Sequence, residues 1–140
     1  MITGGVRAGD RLPWDVLAAV AVGGALGSAA RYGVSVLWPT APGNFPWATL
    51  MVNLTGSAVL GVLMQIIASR IAPHRLVRPF LGTGVLGGFT TFSTYAVETR
   101  GLLGAGRPLL AFGYLLGTLA GALAAAWLGT RLVTRLRSAP

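Results

Sequence analysis

Apolar residues are gathered into four long runs, each close to the ~20 residues an α-helix needs to cross a hydrocarbon core. They cover residues 16–37, 47–68, 80–103 and 109–128. The joints between them collect helix breakers and charges: Pro39-Thr40-Ala41-Pro42-Gly43-Asn44, then Ala72-Pro73-His74-Arg75, then Gly104-Ala105-Gly106-Arg107-Pro108. Trp14, Trp38 and Trp47 stand at run ends, where an interfacial aromatic belt would have them. The pattern predicts an all-α membrane protein, a single four-helix domain over residues 1–140. The other reading of the first run, a cleaved signal peptide ending near Ala30 behind Arg7 and Arg11, is disfavoured. The stretch is long for such a segment, and nothing after it reads as a secreted soluble domain.

The third run differs from the others. It contains Gly87-Gly88-Phe89-Thr90-Thr91-Phe92-Ser93-Thr94, two adjacent glycines followed by four hydroxyl residues among two phenylalanines. Each glycine costs a helix interior about 1 kcal/mol relative to alanine. A helix broken inside a bilayer persists only where its freed backbone lines a cavity or meets an ion, and discontinuous helices near the midplane are where transporters place ion sites. The spacing therefore predicts a break in the third span, with the working part of the protein around it.

Polar residues inside the other runs follow helical periods. Thr49, Asn53 and Ser57 fall on one stripe of the second run, and Tyr114 and Thr118 on one stripe of the fourth. A hydroxyl in such a place either bonds back to its own helix or faces a polar path. Asn53 is harder to absorb, because a carboxamide brings two donors and two acceptors, and it is read as facing the path. Arg31 lies well inside the first run and either turns to a water-filled cavity or snorkels to the nearer interface. Phe89, Phe92 and Tyr95, three residues apart, are either plain packing or a set of positive ring edges against which a small anion can rest. Gly113, Gly117 and Gly121, and Gly23 and Gly27, recur every four residues, a spacing that lets helix backbones approach closely.

Composition narrows the chemistry. Only 10% of the 140 residues are charged, against about 25% in a soluble domain. Cysteine is absent and His74 is the only histidine, so thiolate and histidine metal clusters are excluded. The carboxylates are Asp10, Asp15 and Glu98, none of them in the first, second or fourth run. The usual parts of a hydrolytic, redox or metal-dependent enzyme are missing, and a lining of hydroxyls, amide and arginine suits an anion. A net charge of +8 raises nucleic acid as a partner, but the arginines flank apolar runs and no basic patch is interleaved with stacking aromatics. A chain this small does not easily enclose a pore and shield it from lipid, so an oligomer is expected, most often a two-fold dimer.

The Gly87–Thr94 run resembles the signature of the CrcB/Fluc fluoride channel family. So do Val52-Asn53-Leu54-Thr55-Gly56 and the stretch from Gly27 to Tyr32, and the likeness extends from about Leu17 to Gly129. The resemblance implies a fluoride-selective channel that exports fluoride passively across the cytoplasmic membrane and relieves its toxicity. It further implies an antiparallel, dual-topology-type dimer and a structural sodium ion at the dimer centre, held by the carbonyls of Gly87 and Thr90. The fluoride pathway it implies comprises Phe92, Asn53, Thr118 and Tyr114, with Arg31 near the mouth, and Thr49, on the Asn53 stripe, and Ser93, beside Phe92, are expected to border the same pathway. Tyr95 stands where the family has a second phenylalanine, and Ala122 shortens the hydroxyl track one turn beyond Thr118.

Arginine placement bears on orientation. Arg7, Arg11, Arg70, Arg75, Arg78, Arg131, Arg135 and Arg137 share one side of a four-span chain, and only Arg100 and Arg107 the other. That bias predicts both termini in the cytoplasm and opens two assemblies, a homodimer or a heterodimer with an oppositely oriented paralogue. A small proton-coupled multidrug exporter would want a mid-membrane glutamate in the first span, where this chain has Arg31. A non-transporting accessory subunit would need neither Asn53 nor the break.

Overall fold

A computed structural model describes residues 13–69 and 74–138, and among these the regular structure is entirely helical. Arg7, Arg11, Asp10, Arg70 and the Ala72-Pro73 part of the second joint lie outside the described residues. Helix α1 spans Trp14–Leu37 and α2 spans Trp47–Ala68. A π-helical segment, Arg78–Leu86, leads into a single turn, α3 at Gly87–Phe89. After a gap at residues 90–92 come α4, Ser93–Gly104, and α5, Pro108–Ser138. Helices α1, α2 and α5 are long and apolar enough to cross a membrane. The third span is not one helix but three pieces, the interruption falling within the glycine and threonine run.

The fourth helix departs from expectation at its far end. It continues past residue 128 to Ser138, because no proline intervenes and Gly129 is held against α2. Its start is set by Gly106, at φ +71, which closes α4: Gly106 N–H donates to Leu103 O and Arg107 N–H to Leu102 O, both at 3.0 Å. Pro108 then opens α5, where a missing N–H does no harm.

Two backbone seams hold the bundle together. Along the first, α1 lies on the third span, and a methyl group at Gly23, Gly27 or Gly88 would run into the main chain opposite. Along the second, α2 lies on α5, with Gly61 against Ala126 O and Gly129 against Ala58 O. Lipid tails are as apolar as leucine, so helices in a bilayer associate through this kind of close packing rather than through hydrophobic burial. The ladder on α5 behaves differently from its reading: Gly121 meets Leu54, but Gly113 and Gly117 have open space in front of them. Among the described residues the buried apolar cluster is small, Leu102, Ala111 and Tyr114 with Phe45, Leu50, Tyr95 and Leu110 around it. An exposed ion pair, Asp15 with Arg75, ties the start of α1 to the segment leading into the π-helix.

Candidate ion pathway at the broken third span

The break begins at Thr90, whose N–H and Oγ1 both bond back to Leu86 O, at 3.0 and 2.9 Å, while its ψ of 158° turns the chain out of the helix. The next residue cannot close a helical turn, and its backbone groups need partners. Asn53 supplies both. Thr91 N–H donates to Asn53 Oδ1 at 2.8 Å, and Asn53 Nδ2 donates to Thr91 O at 3.0 Å. The carboxamide thus stands in for a peptide group, with one N–H and one lone pair still uncommitted. On the other side, Thr91 Oγ1 accepts Thr94 N–H at 3.2 Å and donates to Thr94 Oγ1 at 3.1 Å, with Ser93 Oγ 3.4 Å away.

These bonds have a consequence for the main-chain oxygens. The amide that would satisfy the Gly87 carbonyl in a continuous helix is that of Thr91, which has gone to Asn53. The amide that would satisfy Thr90 is that of Thr94, which has gone to the Thr91 hydroxyl. Gly87 and Thr90 therefore keep carbonyls without their helical donors. The Gly88 carbonyl is occupied instead, by Ser28 Oγ at 3.4 Å and Arg31 Nε at 3.2 Å. Arg31, read from sequence as cavity-facing or snorkelling, is anchored to the break itself. It also borders a small cavity of about 130 Å³ shared with Thr49, Thr91 and Thr94.

A larger cavity of about 550 Å³ is bordered by both Asn53 and Thr91. Its polar lining is Asn53, Ser57, Thr90, Thr91, Tyr95 and Thr118, its apolar lining includes Phe92, Leu115 and Ala122, and no carboxylate borders it. Phe92 is 78% exposed, with its ring centroid 5.7 Å from that of Tyr95 at a tilt of 58°. The Tyr95 hydroxyl donates to Leu115 O at 2.7 Å. Thr118 is 5% exposed and its Oγ1 has no partner.

Thr49 and Tyr114 are paired in a way sequence reasoning did not foresee. Thr49 Oγ1 donates to Glu98 Oε1 at 2.8 Å, and Tyr114 OH donates to Glu98 Oε2 at 2.7 Å. Tyr114 is fully buried and packs edge-on against both Tyr95 and Phe45 at 5.3 Å. Both hydroxyls thus act on a carboxylate, and Glu98 joins the site. The signal was present: an ionisable residue within a span is a functional candidate by default, and Glu98 lies one turn beyond Tyr95 on the third run. Ser28 was likewise missed, having nothing in its local sequence to distinguish it from a back-bonding serine.

Fold and site together define a class, a multi-pass helical membrane protein whose interrupted span brings unpaired main-chain oxygens beside a polar, aromatic-edged cavity, the construction of an ion-conducting protein. The particular family follows from known sequences. The profile described as "CrcB-like protein, Camphor Resistance (CrcB)" matches residues 18–130, and the chain belongs to that family. It is similar to "Fluoride-specific ion channel FluC 1" of Streptomyces coelicolor, 52% identical over 93% of this chain and 84% of the relative. It is also similar to "Fluoride-specific ion channel FluC 2" of Nocardia farcinica, at 54% over 82% of each chain. "Fluoride-specific ion channel FluC" of Paracoccus denitrificans is 49% identical over 76% of this chain and 84% of its own.

Proposed function

We propose that this chain is a subunit of a fluoride-selective channel that lets fluoride leave passively across the cytoplasmic membrane and so relieves fluoride toxicity. The observation that carries the reading is the clamped break, with Asn53 on Thr91, beside a carboxylate-free cavity in a chain whose relatives bear the name fluoride-specific ion channel. Hydrogen fluoride crosses membranes neutral and ionises in the less acidic interior, so an anion leak down the membrane potential empties the cell. No bond is made or broken in this work, and the chain is not an enzyme.

The fluoride pathway runs along the cavity. The second Asn53 N–H and the free Thr118 hydroxyl replace part of the anion's water, while the edges of Phe92 and Tyr95 offer positive ring hydrogens. Ser93 and the Thr49–Glu98–Tyr114 group border the route where it continues past Thr91, and Arg31 sets a positive charge near its mouth. Narrowness and donor density favour fluoride over chloride, because a larger halide keeps a shell the passage does not admit.

The functional unit is an antiparallel dimer. The exposed Phe92, the open side of the larger cavity and the vacant space before Gly113 and Gly117 support a second subunit covering this face. Gly87 and Thr90 of each subunit would hold a structural sodium ion at the dimer centre, since carbonyl oxygens without helical donors are the hard ligands a hard cation takes. Such an ion supplies fixed positive charge that joins the two breaks. The partner is a second copy or an oppositely oriented paralogue, and the arginine bias favours the paralogue.

Fluoride release from liposomes tests the reading, using the purified chain alone and co-purified with an oppositely oriented relative, with chloride as control. Fluoride release that requires a potassium ionophore to dissipate charge, with chloride retained, is the expected result. Release of neither ion from either preparation, or equal release of both, rejects it.

A further inference from the structure

Thr118 is the described residue whose buried hydroxyl has no partner, whereas Thr49 on α2 donates to Glu98. Thr55, Thr99, Thr130 and Thr134 each donate their hydroxyl to a carbonyl three or four residues earlier, the usual fate of a helical threonine hydroxyl with no other partner. Thr118, 5% exposed, does not. One of its two candidate acceptors is Leu115 O, three residues back. A carbonyl has two lone pairs. In α5 the Leu115 carbonyl lies on the helical ladder, and it also accepts the Tyr95 hydroxyl at 2.7 Å. Tyr95 therefore occupies the lone pair that a Thr118 bond to Leu115 O would use, which closes one of the two back-bonding routes.

We infer that Tyr95 is a positioning residue: by filling the Leu115 carbonyl it closes the i−3 back-bond of the buried Thr118 hydroxyl and biases that hydroxyl toward donating to an anion in the cavity. The inference rests on the fluoride reading above for the identity of the anion, but the positioning itself does not. It also assigns a purpose to the pairing of Tyr95 with Ala122. Alanine offers no hydroxyl one turn beyond Thr118, so Thr118 is the only α5 hydroxyl on this cavity, and one donor held free matters more than one of several.

The test is a double-mutant cycle, with fluoride flux measured at low and saturating fluoride in whichever assembly conducts, and a high-resolution structure of Tyr95→Phe. Tyr95→Phe is expected to let Thr118 Oγ1 fold back to within hydrogen-bond distance of Leu115 O. Flux at low fluoride should fall about tenfold, the effect of one lost donor, with a smaller loss at saturation. Thr118→Ala should match it, and the double variant should be no worse than either single. Losses that multiply in the double variant, or a Tyr95→Phe flux equal to wild type, overturn the coupling. A Tyr95→Phe structure in which Thr118 Oγ1 does not move onto Leu115 O overturns the positioning. A wild-type protein that passes no fluoride, with Thr118 relocated in Tyr95→Phe, rejects the fluoride reading and leaves the positioning standing.

Discussion

Asn53 commits one donor and one acceptor to the backbone of Thr91, and that bidentate contact is what makes an interrupted span tolerable at this depth. Asn53→Ala leaves two backbone groups unpaired in a place water reaches poorly, each costing about 1–3 kcal/mol. A lower melting temperature in detergent and the loss of most fluoride flux are expected together. Asn53→Asp separates the two effects. It keeps the acceptor for Thr91 N–H but removes the donor and sets a negative charge beside the anion route, so flux should fall further than stability does. A melting curve and a liposome efflux assay on the same preparation measure both. At Glu98 the direction reverses: Glu98→Ala strands the Thr49 and Tyr114 hydroxyls, and thermal unfolding should report a loss of about 1–3 kcal/mol, while the folded fraction keeps its helical circular dichroism.

Glycines carry the packing between elements, and their roles are separable by what each faces. At Gly88 an added methyl meets Gly24 O, and at Gly27 it meets Val85 O, so α1 must move off the third span. Gly88→Ala should lower the yield of folded protein, the result of overpacking that typically costs 1–3 kcal/mol or somewhat more. Gly117→Ala has nothing within 4 Å to strike, so melting of the isolated chain should not change. Its effect should be confined to association with a second subunit, visible as a shift toward monomer in size-exclusion or mass photometry. Equal damage from both substitutions would mean that the seams are misassigned. Length matters as well: the 31 residues of α5 at 1.5 Å each span about 46 Å, well beyond the ~30 Å hydrocarbon core. Its end, with Arg131 stacked 5.0 Å from the Trp127 ring, lies at or past the interface.

At the scale of the whole molecule the charge distribution gives direction. Arg75, Arg78, Arg131, Arg135 and Arg137 stand at one end of the described bundle and Arg100 and Arg107 at the other, with Arg7, Arg11 and Arg70 adding to the first by sequence alone. A single orientation with both termini cytoplasmic is expected. A C-terminal tag in spheroplasts, probed by protease or an impermeant label before and after lysis, checks it. Signal from both faces in comparable amounts would show dual insertion and remove the reason to seek a paralogous partner. One-sided signal would support the proposed pairing with an oppositely oriented paralogue, and co-expression with it should then be needed for fluoride efflux.

The long apolar helices and the site of the break were legible from sequence, because hydropathy and glycine or hydroxyl clustering are local properties that act on the residues carrying them. Gly87 and Thr90 as ion-facing carbonyls came only from the family resemblance. The pairings were not legible. Asn53 lies 38 residues from Thr91, Arg31 57 from Gly88 and Thr49 49 from Glu98, and a side chain with several hydrogen-bonding options shows no sign, in its own neighbourhood, of which one the fold supplies. Tyr95 makes the point most sharply. As a residue it adds a hydroxyl to an aromatic position, and only the approach of α4 to α5 turns that hydroxyl from the cavity onto Leu115 O. Sequence determined which segments cross the membrane and where one of them fails. Tertiary structure decided which polar atoms are consumed in holding that failure open and which remain for an ion, because hydrogen-bond satisfaction is settled by distance in space.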